Sequence, residues 1–263
     1  MQVGVSHLVA GDWPLEQFFK RASAAGYEVV ELMLRREGEL TLKTSKDDLK
    51  RIAELAKMHK LSLVSMVHCQ LTGNILDSGQ AQRTGIEETI AGLEVARTLG
   101  IGCTLHTLGR LRADLFYDDA YRNAVAALKE IAKAAEKLDV VLAAEFVWSG
   151  FLFSPLEYRH LLDEVGSSHV GFYFDPGNMA IFQFPQHWAR ILGKHIRMVH
   201  MKDWKGGPLN GGWPPLLKGT VDYAAINREL RAAGYDGPMI SEVPPGDAPL
   251  EETAAAIRKI IAM

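Results

Sequence analysis

The sequence predicts a single-domain α/β protein, a (β/α)8 TIM barrel spanning residues 1–263. Short apolar runs alternate with amphipathic segments of helical period along the whole chain, eight of each. The repeated phrase of helix, glycine and strand in AAGYEVVEL, TLGIGCTLH and AAGYDGPMISE marks βα units feeding a parallel sheet. Eight such units in 263 residues fit the size of this barrel, and no linker rich in Pro, Gly and Ser divides the chain. The competing doubly wound sheet lacks its GxGxxG fingerprint here, because the chain reads GVSHLVAGDW after its first strand.

The elements follow in order. Strand 2–6 is a short apolar run, and helix 15–25 after it stops at Gly26. Strand 27–33 is rich in valine and leucine, and helix 45–59 opens on a capping box of Thr44 or Ser45 with Asp48. Strand 61–68 precedes helix 81–99, which Gly100 ends; strand 101–106 precedes the long helix 117–138. Strand 140–145 leads to helix 155–164, with Ser154 as N-cap, Pro155 in the first helical position and Gly166 past the end. Strand 170–175 leads to helix 185–192, closed by Gly193. Strand 195–201 leads to helix 222–233, closed by Gly234, and strand 238–242 to helix 249–260. Segment 206–219 (GGPLNGGWPPLLKG), with its glycines, prolines and Trp213, reads as a mobile βα loop or lid over the barrel mouth.

Composition narrows the partners. With 29 basic and 32 acidic residues the net charge is -3, so nothing draws the protein as a whole to nucleic acid or a membrane surface. No window approaches 18 uninterrupted apolar residues, and the N-terminus lacks a basic region followed by an apolar one, which leads to the expectation of a soluble, cytoplasmic protein. Cys69 and Cys103 have no CxxC spacing and are too few for a disulfide framework, so both are expected to be buried small hydrophobes.

Active sites of such barrels gather at the C-terminal strand ends. In order these are Ser6 and His7, Glu31, His68, His106, Glu145, Asp175, His200 and Glu242. Side chains two apart share a strand face, so Glu145, His200 and Glu242 stand above apolar Ala143, Met198 and Ile240. Three carboxylates and an imidazole converging on one cavity would carry a heavy desolvation cost unless a cation sat among them. Oxygen and nitrogen donors without thiolate suit Mn²⁺ first, or Mg²⁺ or Co²⁺, with open positions for substrate. The alternative is that these four residues make salt bridges to Arg and Lys on neighbouring loops. Asp175 opens the turn DPGN, which aims Asn178 at the same cavity, and Lys202 in HMKDW shares the strand face of His200.

The set formed by Glu145 in AAEF, Asp175 in FDPGNM, His200 in VHMKDW and Glu242 in ISEVPP resembles the xylose isomerase-like barrel superfamily. Within it, the set is similar to the sugar isomerase/epimerase group of ketose 3-epimerases, hydroxypyruvate isomerase and inosose dehydratase. The resemblance covers essentially the whole chain. It implies that Glu145, Asp175, His200 and Glu242 bind one divalent metal, that Glu145 and Glu242 double as acid and base, and that His68 and His106 line the substrate pocket. Ketose 3-epimerases usually carry a histidine where this chain has Asn178, and an arginine in the loop where it offers Lys202, Lys205 and Lys218.

A divalent ion in that set would acidify the C–H beside a carbonyl, and two glutamates on opposite faces would then epimerise the carbon of a keto-sugar or related hydroxyketone. Return of the proton to the neighbouring carbon is isomerisation, and loss of a β-hydroxyl is dehydration. Substrate pose selects among them, set by His68, His106, Asn178, Lys202, Glu31 and the lid with Trp213, while Trp13, Trp148 and Phe151 offer an apolar wall. The rivals are a dehydratase or lyase of the inosose dehydratase or glycoside-cleaving type, an apurinic endonuclease and a non-catalytic sugar-binding barrel. The nuclease branch needs a histidine at Asn178 and another beyond His200, and no histidine follows His200. No Gly-rich phosphate loop follows strands seven or eight, which favours a free sugar or cyclitol over a phosphorylated one. The run Phe151, Leu152 and Phe153 suits a homo-oligomer contact or a pocket wall.

Overall fold

Eight parallel strands close on themselves in the order β1 to β8 in the computed structural model, which describes residues 1–68, 72–208 and 210–263. Cys69 lies outside the described residues. The strands are β1 (Val3–Ser6), β2 (Val29–Leu34), β3 (Ser62–His68), β4 (Cys103–His106), β5 (Val141–Glu145), β6 (Val170–Phe174), β7 (Ile196–Met201) and β8 (Met239–Ser241). β1 and β8 pair through Val3 with Met239, which seals the barrel.

Around them run α1 (Leu15–Ala24), α2 (Lys46–Met58), α3 (Gly79–Leu99), α4 (Tyr117–Leu138), α5 (Pro155–Val165), α6 (Pro176–Ala180), α7 (Pro185–Leu192), α8 (Tyr223–Ala232) and α9 (Leu250–Ile261). The expected caps are in place. Ser45 Oγ accepts from Asp48 N at the start of α2, Ser154 Oγ accepts from Leu156 N at the start of α5, and Gly100 and Gly166 end α3 and α5 in the left-handed conformation. None of the helices is long and apolar enough, among the described residues, to cross a membrane.

Strand alternation divides the core in two. Val67, Cys103, Leu105, Ala143, Tyr173, Met198 and Ile240 fill the barrel, and the larger cluster fills the space between sheet and helices. That outer layer supports the site directly. Trp188 of α7 is fully buried, with its ring centroid 4.9 Å from Phe146, which follows Glu145, and 6.0 Å from Phe172 of β6. Trp188→Ala removes this support and is expected to cost about 3–5 kcal/mol, read as a lower denaturant midpoint. Phe151 and Leu152, expected at a contact or pocket wall, are buried within the chain's own core, and only Phe153 of that run is exposed.

Candidate metal centre

Four strand ends converge at the C-terminal mouth. Glu145, Asp175, His200 and Glu242 each place one donor atom within 4.8 Å of the others. Their strand partners Ala143, Tyr173, Met198 and Ile240 lie in the inner cluster, so the same alternation that packs the barrel aims the four polar groups at its axis.

Asp175 shows how local sequence builds the site. Instead of closing strand β6, it is the N-cap of α6, a short helix where the sequence predicts only a turn. Its Oδ1 accepts from Gly177 N and Asn178 N, which leaves Oδ2 for the cavity. Pro176 in the first helical turn sets the chain direction. Residue 177 has no room for a side chain, because a Cβ there would lie 2.7 Å from Lys202 Cβ. That close approach carries Lys202 to the ligands. Its Nζ stands 3.0 Å from Asp175 Oδ2 and 2.6 Å from Glu242 Oε2. Burial opposes the ammonium, but the Asp175, Glu242 and Glu145 charges raise its pKa above the ordinary lysine value.

His200 is oriented from below. Its Nε2 lies 2.9 Å from Glu31 Oε1, while Nδ1 faces Glu145 Oε1 at 3.4 Å and Glu242 Oε1 at 3.5 Å. Burial opposes the imidazolium, but the Glu242 and Glu31 charges and the hydrogen bonds to Glu145 and Glu31 raise the His200 pKa well above the ordinary histidine value, with Nε2 held by Glu31 and Nδ1 turned toward the other carboxylates. Glu31 is fully buried and also accepts from Ser65 Oγ at 2.8 Å and Tyr173 OH at 2.5 Å. Burial would raise its carboxyl, but His200 and the hydroxyl donors outweigh that and hold it below the usual range. Glu31, expected at the substrate, is fully buried with its carboxylate engaged by His200, Ser65 and Tyr173.

Asn178 is buried and donates to Glu145 Oε1 at 3.2 Å and to Phe146 O at 3.1 Å. Glu145 itself is pushed up to about 7, first by burial and then by the Glu242 and Asp175 charges against the opposing pull of His200. An ion binding here displaces that proton. Affinity of the stripped protein for Mn²⁺ is therefore expected to fall as pH falls, by up to about tenfold per pH unit for each displaced proton, and more steeply below pH 7, where Glu145 as well as His200 gives up a proton. The raised Glu145 carboxyl acts oppositely on the metal-free fold: its contribution is fully present below the ordinary glutamate value and is lost as pH rises through about 7. Titration with Mn²⁺ on both sides of pH 7 checks the first statement, and a pH-independent affinity contradicts it.

His68 and His106 do not join this group. Their neighbours Val67 and Leu105 point into the barrel, so the histidines point outward, toward α3. His106 is fully engaged: Nδ1 accepts from Leu108 N at 2.9 Å, and Nε2 meets Thr89 Oγ1 at 3.2 Å. His68 has no partner at either ring nitrogen among the described residues, and burial, with a smaller contribution from His106, lowers its pKa to about 3. Both rings line a cleft of about 600 Å³ formed with the loops after β3, β4 and β5. Trp148 links the cleft to the four-residue set: its Nε1 donates to Asn178 O at 3.2 Å, and Asn178 in turn donates to Glu145.

The expected lid is docked. Trp213 stacks on Trp148 at 5.4 Å, packs edge-on against Trp204 at 4.7 Å, and lies 5.2 Å from Lys202 Nζ. Asp203 ties the ends of the loop by accepting from Trp204 N, Gly219 N and Val221 N. Trp13 stacks under the Arg21 guanidinium on the far side of the mouth. The tying role of Asp203 and the anchoring role of Glu31 are absent from the sequence reading; the buried-ending DW dipeptide before a glycine-rich loop was the available signal for the first.

The donor set fits a divalent ion. An octahedral ion holds its donors roughly 3 to 4 Å apart, so the four side chains need only small movements to close on one. Three carboxylates and an imidazole suit Mn²⁺ or Mg²⁺, and Lys202 already stands among the acids as a cation.

Residues 19–260 match the family described as xylose isomerase-like TIM barrel. The chain is 26% identical over 238 residues to D-psicose 3-epimerase of Enterocloster bolteae, a match covering 86% of this chain and 76% of that protein. Among solved structures, a D-psicose 3-epimerase determined in the presence of D-fructose superposes with a TM-score of 0.83 at 18% identity, over 100% of both chains. The IOLI protein with a binding zinc atom gives 0.80 at 18% identity, over 100% of this chain and 98% of that one.

Proposed function

This chain belongs to the xylose isomerase-like TIM barrel family, and on that premise we propose that it is a divalent-metal-dependent sugar isomerase or epimerase acting on a keto-sugar or related hydroxyketone. The observation that carries the reading is the convergence of Glu145, Asp175, His200 and Glu242 with two glutamates in unlike surroundings. Glu145 faces an amide, Asn178, and Glu242 faces an ammonium, Lys202. Pairs of carboxyls whose environments differ are what an acid and a base need.

A bound divalent ion, Mn²⁺ in this reading, supplies Lewis acidity that lowers the pKa of the C–H beside a carbonyl. Glu145 rises from β5 and Glu242 from β8, so they approach a bound sugar from different sides. One takes the carbon-bound proton and the other returns one to the opposite face, inverting the carbon through an enediolate. Lys202 and Asn178 donate to substrate oxygens, and Trp148 with Trp213 forms the wall that excludes water. Cytoplasmic residence and a single-domain organisation over 1–263 belong to the same proposal.

Product analysis tests it. The protein is stripped of metal, reloaded with Mn²⁺ and incubated with ketoses, hydroxypyruvate and inosose. Metal-dependent appearance of an epimer or isomer supports the reading. An unsaturated, dehydrated product would replace it with a lyase, and the absence of any product from every compound would overturn it.

A further inference from the structure

We propose that the cleft beside the metal centre is built for a substrate with an anionic group, a phosphate or a carboxylate, at the end away from the metal, and that Arg110 is the residue that receives it. The inference rests on the isomerase reading only in taking the other end of the substrate to lie at the four ligands.

The loop after β4 is held in an unusual conformation. Leu108 has φ +64 and Gly109 has φ +127, two successive residues in the left-handed region. For leucine this is strained, and such strain persists only where the surroundings impose it. Leu108 N donates to His106 Nδ1, itself fixed through Thr89, and Leu111 N donates to Ser149 O at 3.0 Å. Between them, Asn74 Nδ2 donates to Arg110 O at 3.1 Å, and a Cβ at residue 109 would collide with Asn74 Oδ1. The backbone of Arg110 is therefore pinned from the end of β4 and from the loops after β3 and β5, and His106, which also lines the cleft, is one of the pins.

Charge gives the pinned residue its meaning. Arg112, two residues on, is matched by a two-pronged pair with Asp77 at 2.9 and 3.0 Å and by Asp114 at 3.2 Å. Arg110 lines the same cleft and has no ion-pair partner among the described residues. The other walls are neutral: burial keeps His68 and His106 uncharged, and Trp148 and Ser149 carry no charge. An unpaired guanidinium on a pinned backbone, in a cleft whose only other cation is the already matched Arg112, fits a carboxylate or phosphate through its fork of donors. The lack of a Gly-rich loop after β7 or β8 removes only a backbone cradle for phosphate, and a side chain on the opposite rim supplies the charge instead.

Calorimetric titration of the Mn²⁺-loaded protein with sorbitol, sorbitol 6-phosphate and gluconate tests this without requiring turnover, since the three share one carbon chain. At least one anionic probe is expected to bind about tenfold more tightly than sorbitol. In Arg110→Gln that ratio falls to near one, and in Arg110→Lys most of it returns. Preference for sorbitol 6-phosphate identifies a phosphorylated sugar and preference for gluconate a sugar acid. Equal binding of all three by the native protein, or a ratio unchanged in Arg110→Gln, overturns the proposal. Failure of every ketose to turn over would sink the isomerase reading and leave this ratio standing.

Discussion

Replacing Glu145 or Glu242 with glutamine is expected to lower kcat by roughly three orders of magnitude at saturating Mn²⁺ while the protein stays folded. General acid or base catalysis by one positioned group contributes about 10² to 10⁴-fold, and in the proposed mechanism each group would also be a ligand. Glutamine keeps the shape and the oxygen donor but cannot move a proton. The two variants should differ in a second respect. Glu145→Gln leaves the Lys202 pair with Glu242 intact, whereas Glu242→Gln weakens the contact at 2.6 Å and leaves Lys202 only Asp175 as an ionic partner. Steady-state kinetics with metal content measured in parallel separate loss of chemistry from loss of the ion. Native turnover in either fully loaded variant contradicts the two-glutamate mechanism.

Glu31→Gln should weaken Mn²⁺ binding by about 10- to 100-fold although residue 31 touches no ion. The carboxylate holds His200 through Nε2 and so turns Nδ1 to the site, which is how an outer partner would tune a metal-bound histidine. It is a positioning residue, and its signature distinguishes it from a merely structural one. Metal affinity should fall far more than stability, and the titration of His200 followed by ¹⁵N NMR in the metal-free protein should move down in pH as the Glu31 charge is lost. Tyr173→Phe removes one donor to Glu31 without touching His200's bond and should have the smaller effect. Unchanged Mn²⁺ affinity in Glu31→Gln would show that His200 is oriented by packing alone.

Much of this arrangement is legible in the sequence because it depends on period and punctuation. The eight strands and their helices declare themselves through apolar runs, N-caps such as Ser45 and Ser154, and terminal glycines, and the convergence of Glu145, Asp175, His200 and Glu242 follows once strand ends are read together. What escapes depends on contacts between distant residues. Glu31 and His200 are 169 positions apart, and nothing local in YEVVEL says that its glutamate will be sealed under a histidine. His68 and His106 end their strands as the ligands do, but they fall on the other parity; the alternation applied to Glu145, His200 and Glu242 would have placed them outside the barrel. α6 spans five residues, too few for helical period to show, so DPGN reads as a turn although it is an N-capped helix. Segment 206–219 reads as mobile from its glycines, while the packing of Trp213 between Trp148 and Trp204 depends on a β5 loop more than 60 residues away.

The central claim is that a metal at these four residues lets two glutamates exchange a carbon-bound proton. Deuterium wash-in tests it most directly. The stripped protein is incubated in D₂O with a panel of ketoses and sugar phosphates, with and without Mn²⁺, and the compounds are followed by NMR after the metal is removed. Deuterium at the carbon beside the carbonyl, in at least one compound and only when Mn²⁺ is present, is the predicted result. Wash-in that proceeds equally without metal, or none in any compound with the site loaded, would contradict the account.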